Sequence, residues 1–283
     1  MRLRLTLAAL ALASSAALAQ DKPVMLKLSS WVPAQHALNP ALQAWADDIK
    51  KASNGSITAT LFPSEQLGKA FDHYDMARDG IADVAYVNPG YQPGRFPLFA
   101  AASLPLQVAN GKGGSAAVDA WYRAYAAKEM KDVQFCFAFV HDPGSLHSRK
   151  KVVLPTDIKG MKVRPATSTI GQVITTLGGT NVQASAPESR DMLERGVADA
   201  ITFPWGSLSL FGIDKVVSHH IDTPLYVAGH EMVKLTPDQI ETWRKAMAPV
   251  QEQWAKDAAK TGADPKAVLD GLKASLVKYK SAL

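Results

Sequence analysis

The chain carries the stretch Gly80-Ile81-Ala82-Asp83-Val84-Ala85-Tyr86-Val87, and 116 residues later it carries the similar stretch Gly196-Val197-Ala198-Asp199-Ala200-Ile201-Thr202-Phe203. In each copy a helical pattern ends at glycine, which tolerates the positive φ common at helix ends. An aspartate and a short apolar run typical of a buried strand follow. A breaker then ends each strand, Asn88-Pro89-Gly90 in the first copy and Pro204-Trp205-Gly206 in the second. The repeat predicts two equivalent α/β lobes that face each other.

The sequence around the repeat alternates strand and helix patterns, which predicts a parallel or mixed sheet in each lobe. Residues 25–30 have the pattern of a first strand, and Asn39 followed by Pro40 is typical of a helix start. Two more helices are predicted near the end of the chain, beginning at Pro237 and Pro265. No stretch after residue 24 has the composition of a linker, so the lobes are expected to share crossing segments.

A second informative stretch is Asp157-Ile158-Lys159-Gly160-Met161-Lys162-Val163-Arg164-Pro165. Gly160 breaks the preceding turn, apolar and basic residues then alternate as in a half-buried strand, and Pro165 prevents ladder pairing. Arg164 is therefore expected at the carboxyl end of a strand, the edge where ligands bind in open α/β sheets. Its planar guanidinium suits a carboxylate held by two parallel hydrogen bonds. On spacing alone, an ordinary surface salt bridge fits equally well.

The run Lys159-Gly160-Met161-Lys162-Val163-Arg164 resembles the signature of the substrate-binding proteins of TRAP transporters, the DctP-like family. The resemblance covers nearly the whole chain after residue 24, through these further positions: Pro63, Gln66-Leu67-Gly68, Gly80, Asp83, Tyr91, Phe96-Pro97 and Asp157. It implies an α/β, two-lobed periplasmic binding protein fold, class II-like with mixed sheets and with a long helix spanning both lobes. It also implies that Arg164 clamps the carboxylate of the ligand.

The repeat and the resemblance together predict how the chain is divided. Lobe I is expected to contain residues 24–141 and about 228–283, with C-terminal helices that brace it. Lobe II is expected to contain residues 142–227 and to carry the arginine. Residues 1–19 are a predicted signal peptide, because Arg2 and Arg4 precede an apolar run that ends at Ala17-Leu18-Ala19. The expected location is the periplasm, after secretion through this cleavable signal.

The breakers of the repeat place candidate ligand-binding side chains at the two lips of a predicted cleft. Tyr86, Asn88 and Tyr91 are expected at one lip. Thr202, Phe203 and Trp205 are expected at the other. Core packing is the alternative for these rings, but their place beside strand ends and proline-glycine turns favours pocket walls.

The resemblance adds His36, at a position that often contacts ligand in the family. It also reveals two departures, because sialic-acid-binding members carry a second arginine at the position of Gly144 and many members carry an asparagine at that of Phe203. His147 or Ser145 is expected to replace part of the lost polarity. Burying one aromatic ring is worth about 1.5–3 kcal/mol. These changes favour a ligand with an apolar or aromatic body over a sugar acid or a dicarboxylate.

Composition argues against several other classes of protein. The formal net charge is +5 and the basic residues are scattered, so no nucleic-acid partner is predicted. No stretch after the signal reaches about 18 consecutive apolar residues, so direct membrane insertion is not expected. The single cysteine, Cys136, lies in an apolar, strand-like run, and a buried, inert thiol is expected.

The sequence offers little for catalysis. It has no glycine-x-serine-x-glycine elbow. His219 and His220 are adjacent rather than at the spacing of zinc ligands. His230-Glu231 is not followed by a histidine at the zincin position. No catalytic residue, metal or cofactor is predicted.

We therefore interpret the chain as an extracytoplasmic solute-binding protein and not as an enzyme. It is expected to capture a small organic monocarboxylate, which could be a 2-oxo, 2-hydroxy or aromatic acid. By the resemblance, it delivers this ligand to the integral membrane subunits of a TRAP transporter. Two alternatives stay open: a periplasmic enzyme that acts on organic acids, and a ligand-sensing binding protein that feeds a receptor.

Overall fold

A computed structural model describes residues 22–222 and 231–283 of the chain. The strands are β1 (Val24–Ser29), β2 (Ile57–Phe62), β3 (Val84–Ala85), β4 (Gly144–Ser148), β5 (Lys162–Arg164), β6 (Thr180–Asn181), β7 (Ala200–Pro204), β8 (His219–Asp222) and β9 (Glu231–Lys234). The α-helices are α1 (Leu38–Ala52), α2 (His73–Arg78), α3 (Gly111–Glu129), α4 (Ser168–Thr176), α5 (Ser189–Glu194), α6 (Pro237–Ala259) and α7 (Pro265–Lys278).

The strands form two sheets, and each sheet is the centre of one lobe. The first sheet has the order β2-β1-β3 and is parallel. The second has the order β6-β5-β7-β4-β8-β9 and is mixed, because β4 is antiparallel to both β7 and β8. The arrangement β2-β1-β3 in lobe I recurs as β6-β5-β7 in lobe II. The predicted two-lobed α/β fold with a mixed sheet is confirmed.

The repeated stretches make the same backbone hydrogen bonds in both lobes. In lobe I, the amide of Lys27 donates to Asp83 Oδ2 at 2.7 Å, and the amide of Asp83 donates to Lys27 O at 3.0 Å. In lobe II, Lys162 and Asp199 make the same pair of bonds at 2.9 and 2.7 Å. Each aspartate therefore ties the strand that follows it to a neighbouring strand, β3 to β1 in lobe I and β7 to β5 in lobe II. The similarity of the two stretches reflects a shared local structure.

The long helix α6 contacts both lobes. Near its start, the indole of Trp243 donates to Val153 O at 2.9 Å, beside the core of the second sheet. About three turns later, the indole of Trp254 donates to Pro97 O at 2.8 Å, in the core of lobe I. The predicted helix that spans both lobes is confirmed.

Asn39 does not begin the first helix as predicted. The helix starts one residue earlier, at Leu38, and the side chain of Asn39 is buried. Its Nδ2 donates to Pro33 O and Ala34 O at 2.8 and 3.2 Å, and its Oδ1 accepts from Ser30 Oγ at 2.9 Å. The amide therefore satisfies polar groups of the loop after β1, a tertiary requirement that the capping pattern does not reveal.

The prediction of a buried Cys136 is wrong, because the residue is exposed. Residues 133–140 form no strand and lie along α3. Arg123 Nη2 donates to Cys136 O at 3.0 Å, and the amide of Ala138 donates to Asp119 Oδ1 at 2.8 Å. Because this run packs on the helix through one side only, Cys136 and Phe137 face solvent.

The division into lobes stays a proposal. β9 pairs with β8 in the second sheet, so we propose that lobe II continues to Lys234 before α6 and α7 return towards lobe I. The predicted signal peptide lies outside the described residues. Within the described part of the chain, no helix is both long enough and apolar enough to cross a membrane.

Candidate functional site

Arg164 is the last residue of β5, which confirms its predicted position at the carboxyl end of a strand. Only 1% of its surface is exposed. Its Nε donates to Ala184 O at 2.9 Å, and its Nη2 donates to Tyr91 Oη at 3.2 Å. Among the described residues, Nη1 has no hydrogen-bond partner and no carboxylate forms an ion pair with the guanidinium. The arginine is thus a buried cation with neutral hydrogen-bond partners.

A bend at residues 184–186 hydrogen-bonds to both Arg164 and Tyr91. Ala184 O accepts the hydrogen bond from Arg164, and the amide of Ala186 donates to Tyr91 Oη at 2.9 Å. Tyr91 belongs to lobe I, so its hydroxyl oxygen accepts two donors from lobe II. Its own hydroxyl proton has no acceptor within the described part of the chain. The tyrosine therefore both bridges the lobes and keeps one donor available.

Glu188 supports this bend from one side. Its Oε2 accepts from the amide of Ser185 at 2.8 Å and from Ser185 Oγ at 2.7 Å. Burial raises the pKa of the Glu188 carboxyl, but the hydrogen bonds from Ser185 and the charges of Lys69 and Arg164 lower it overall. Glu188 is therefore ionised at neutral pH and holds Ser185 between the two residues that contact Arg164 and Tyr91.

The charge of Arg164 lacks a contact partner of opposite sign among the described residues. Burial lowers the pKa of Arg164, whereas Tyr91 and the more distant Glu188 favour its charged form. Arginine stays protonated in proteins, so the site carries a positive charge. Taking an ion out of water without a partner costs several kcal/mol. A planar carboxylate that enters between the lobes would offset this cost by paired hydrogen bonds.

Aromatic rings of lobe I surround Tyr91. Trp31 stacks on Tyr86 with ring centroids 4.8 Å apart, and Tyr86 stacks on Phe139 at 5.4 Å. Trp31 and Phe71 contact Tyr91 at 5.7 and 5.0 Å. Burial raises the pKa of the Tyr86 hydroxyl, yet part of the side chain stays accessible. Tyr86 thus stays partly accessible while it packs against Trp31 and Phe139.

Phe203 places an aromatic ring of lobe II beside the guanidinium of Arg164. It is buried, its ring centroid lies 5.8 Å from Arg164 Cζ, and it packs edge-on against Phe211 at 5.3 Å. This distance allows attraction between the guanidinium and the ring. Trp205 follows in the breaker, and its Nε1 donates to Ser145 Oγ at 3.0 Å. The hydroxyl of Ser145 is thus engaged with protein.

His147 is fully buried, and both ring nitrogens contact protein atoms. Its Nε2 lies 3.0 Å from Phe203 O, and its Nδ1 lies 2.7 Å from Nδ1 of His220. Because a carbonyl oxygen only accepts, Nε2 donates to Phe203 O, and in the neutral ring Nδ1 then accepts from His220. The ring also packs edge-on against Trp205 at 4.8 Å. His147 therefore holds the segment that carries Phe203 and Trp205.

Two further predicted site residues make local hydrogen bonds. Asn88 Oδ1 accepts from the amide of Gly90 at 3.0 Å and caps the short 3-10 helix Pro89–Tyr91. His36 Nδ1 accepts from the amide of Leu38 at 3.1 Å, and burial lowers the pKa of its ring. A direct role of either side chain in ligand binding stays a prediction.

Sequence analysis does not predict four rings of this site. They are Trp31, Phe71, Phe139 and Phe211. A signal exists for Trp31, since it follows β1 by two residues and ligands bind at the carboxyl ends of strands. The other three lie in irregular or 3-10 segments, where side-chain periodicity gives no direction.

Within residues 22–222 and 231–283, no group of three histidine, cysteine, aspartate or glutamate residues is placed to hold a metal ion.

Comparison with known protein families shows which family the chain belongs to. A family model described as bacterial extracellular solute-binding protein, family 7, matches residues 28–228. The chain belongs to this family. The match runs from the end of β1 through β8 and includes the repeated stretches and the residues around Arg164.

Two relatives of this family 7 protein are named solute-binding proteins. The solute-binding protein RD1_1052 of Roseobacter denitrificans is 26% identical over 259 residues, which cover 86% of this chain and 77% of the relative. A solute-binding protein of Albidiferax ferrireducens is 23% identical over 178 residues, which cover 61% of this chain and 52% of the relative.

Solved structures of TRAP solute-binding proteins superpose on the family 7 protein over most of its length. One from Bordetella bronchiseptica, with bound (R)- and (S)-mandelate, has a TM-score of 0.82 at 27% identity and covers 90% of this chain and 99% of that one. A marine metagenome protein specific for aromatic acid ligands, with 3-hydroxybenzoate, has a TM-score of 0.83 at 25% identity, covering 92% and 99%. One from Rhodoferax ferrireducens, with benzoate, shows the shared fold at 22% identity and a TM-score of 0.83, covering 91% and 98%.

Proposed function

We propose that the chain binds an aromatic monocarboxylic acid between its lobes and delivers it, in the periplasm, to the membrane subunits of a TRAP transporter. The observation that carries the proposal is the buried guanidinium of Arg164 without a described carboxylate partner. The rings around it support an aromatic body for the ligand. The mandelate and 3-hydroxybenzoate complexes of two relatives with the same fold point to the same class of acid.

Each lobe has a separate part in the proposed binding. Lobe II supplies the anion anchor, Arg164, and the wall formed by Phe203. Lobe I supplies Tyr86 and Tyr91, with the Tyr91 hydroxyl proton free to donate to the second carboxylate oxygen. His147, Asn88, His36 and Trp205 hold these groups or border them. A ligand that contacts both lobes favours the closed arrangement, because its affinity is higher for that arrangement than for the open one.

The first experiment is a thermal-shift and calorimetric screen of the processed protein, purified from the periplasm of an expression host. Benzoate, 3-hydroxybenzoate, phenylacetate, mandelate, pyroglutamate and succinate are the probes, and benzamide is the uncharged partner of benzoate. A ligand present at 100 times its Kd stabilises the folded state by about 2.7 kcal/mol. We expect a clear rise in Tm with aromatic acids and none with benzamide. A rise with succinate or pyroglutamate alone would contradict the aromatic class.

The proposal assigns no reaction to this chain. After prolonged incubation with protein, a bound acid is therefore expected to be recovered unchanged by liquid chromatography. Conversion of the acid would favour the periplasmic enzyme instead. In a deletion strain, we expect uptake of the radiolabelled acid to be lost. Normal uptake, combined with loss of a transcriptional or chemotactic response, would favour the ligand-sensing alternative.

A further inference from the structure

The six tryptophans of the chain differ in how their indole N–H groups are satisfied. Four of these groups donate to protein acceptors within 3.0 Å: those of Trp121, Trp205, Trp243 and Trp254. Trp45 is partly exposed on α1 and is open to solvent. Trp31 is 6% exposed, and its Nε1 is buried without a hydrogen-bond partner among the described residues. Trp31 is therefore the one described tryptophan whose buried N–H lacks a partner.

The position of Trp31 links this unsatisfied donor to the proposed ligand site. Ser29 at the end of β1 and Arg164 at the end of β5 occupy the same place in their sheets, because Ser29 pairs with Ala85 and Arg164 with Ile201. Trp31 thus follows the carboxyl end of the central strand of lobe I by two residues. The carboxyl ends of these strands are where ligands bind in open α/β sheets.

Contacts between rings bring Trp31 close to the anion anchor. Its ring lies 5.7 Å from that of Tyr91, whose hydroxyl oxygen is 3.2 Å from Arg164 Nη2. Trp31 also stacks on Tyr86 at 4.8 Å and an interplanar angle of 15°. The indole therefore packs against both Tyr91, which contacts Arg164, and Tyr86, part of which stays accessible.

A buried N–H without a partner is unfavourable, and native proteins pair the great majority of such groups. An acceptor supplied by the ligand would pair it. In the proposed function, Arg164 and Tyr91 bind the carboxylate of the ligand. The acceptor for Trp31 is therefore a second polar atom, on the body of the ligand. Building on the function proposed above, we infer that Trp31 Nε1 recognises this atom and that the ligand is an aryl acid with a hydroxyl or oxo group.

The test uses pairs of acids that differ only in this group. The pairs are phenylacetate with mandelate, phenylacetate with benzoylformate, and benzoate with 3-hydroxybenzoate, each measured by calorimetry. In the wild-type protein, we expect at least one substituted acid to bind about 5- to 100-fold more tightly than its partner, the range for a buried donor that gains an acceptor. The Trp31→Phe variant keeps a stacking ring but lacks the N–H. Its ratio of the two Kd values is expected to fall to near one.

Trp254→Phe is the matched control, because it also removes a buried indole N–H. That N–H donates to Pro97 O at 2.8 Å, away from the site. We expect this control to lower Tm while the ratio of Kd values stays that of the wild type. Equal affinities within every pair, or an unchanged ratio in Trp31→Phe, would overturn the inference and leave the proposed function standing. If no acid of any pair bound, the proposed function would fall, and this inference with it.

A second measurement follows the indole N–H of Trp31 directly, by NMR of the wild-type protein with bound ligand. In a 15N-labelled protein, the indole N–H signal of Trp31 is assigned by its absence in Trp31→Phe. On addition of mandelate or 3-hydroxybenzoate, that signal is expected to shift and to exchange more slowly with solvent, as for a newly formed hydrogen bond. A signal that responds equally to phenylacetate and mandelate would contradict the inference.

Discussion

The hydroxyl of Tyr91 on lobe I lies 3.2 Å from Nη2 of Arg164 on lobe II. The same oxygen accepts from the amide of Ala186, also on lobe II, at 2.9 Å. The residue that is proposed to bind the carboxylate is therefore also part of the contact between the lobes. We therefore expect occupation of the anchor and closure of the lobes to be coupled through this hydroxyl group.

Tyr91→Phe removes this hydroxyl and keeps the ring against Trp31 and Phe71. Two buried N–H groups lose their acceptor, at about 1–3 kcal/mol each where no water replaces it. We expect the Kd for an aromatic acid to rise about 10- to 100-fold, with a larger open fraction in small-angle scattering of the mixture. Tyr122→Phe is the control, since its hydroxyl donates to Glu129 Oε2 at 2.9 Å in the core of lobe I. It should lower Tm without changing the Kd, and an equal loss of affinity in both variants would contradict this role of Tyr91.

Gly90 is the point of closest approach between the segment that carries Tyr91 and the residue that caps α4. A Cβ at Gly90 would lie 2.4 Å from Thr167 Cγ2 and 2.6 Å from its Cβ. Because both atoms belong to the short, branched side chain at the N-cap of α4, the backbone must move. Gly90→Ala is therefore expected to displace Tyr91 from Arg164 and to raise the Kd at least about tenfold, a loss of roughly 1.4 kcal/mol.

Gly206 provides a matched control for this substitution, because it holds the equivalent place in the second breaker. A Cβ at Gly206 would have no atom within 4 Å. Gly206→Ala is expected to leave both the Kd and Tm within error of the wild type. Calorimetry on Gly90→Ala and Gly206→Ala, prepared in parallel, compares their Kd values for the same aromatic acid. Equal effects would indicate a general response to alanine in these loops rather than a contact between the lobes.

Much of the fold and one part of the site follow from the sequence, for identifiable reasons. The repeat predicts two lobes because, in each copy, glycine ends a helix and aspartate precedes a strand. The run that ends at Arg164-Pro165 predicts an arginine at a strand end, because proline stops the ladder there. Both features depend on the local backbone conformation, which a short run of adjacent residues determines.

The remainder of the site depends on contacts between distant segments. The bend at residues 184–186 binds Arg164 through the carbonyl of Ala184 and Tyr91 through the amide of Ala186. Every residue type has these backbone groups except for the missing N–H of proline, so the sequence does not reveal such contacts. His147 is predicted as a polar replacement near the ligand, but its partner His220 lies 73 residues away. Cys136 is exposed because its apolar run packs against one side of a helix, which periodicity does not distinguish from a buried strand.

Glu188 is expected to act by positioning the bend rather than by contact with ligand. Glu188→Gln keeps a side-chain oxygen that can accept from Ser185, whereas Glu188→Ala leaves the Ser185 amide and hydroxyl without their acceptor. We expect the Kd to rise about tenfold in Glu188→Ala, consistent with one lost buried hydrogen bond, and less than about threefold in Glu188→Gln. Glu194→Ala, at the end of the helix α5 that begins after Glu188, removes an exposed pair with Arg190 and is the control without effect on binding.

The same residue gives a prediction for pH. The pKa of Glu188 is lowered in the folded protein, relative to about 4.3 for an unperturbed glutamate. Its contribution to stability is therefore fully present above that pH and is lost as pH falls through the lower folded pKa. Between about pH 5 and pH 3, the wild-type protein should lose more free energy of unfolding than Glu188→Gln. Parallel urea titrations at several pH values check this, and parallel curves for the two proteins would contradict it.

Arg164 is expected to be required for binding and dispensable for folding. Replacement of a buried ion pair by apolar side chains of similar volume is often neutral or stabilising by about 1–4 kcal/mol. Arg164 has no described carboxylate partner, so its removal leaves no opposite charge unpaired. Arg164→Met should therefore abolish the rise in Tm caused by aromatic acids while the Tm of the ligand-free protein is maintained or raised. In the control Arg95→Met, an arginine paired with Asp75 at 2.9 Å and placed over the ring of Tyr74 is lost. That control should lower Tm by a few degrees, for about 1 kcal/mol, and keep the response to ligand. A ligand-free Arg164→Met protein that melts well below Arg95→Met would show that the guanidinium is mainly a structural group.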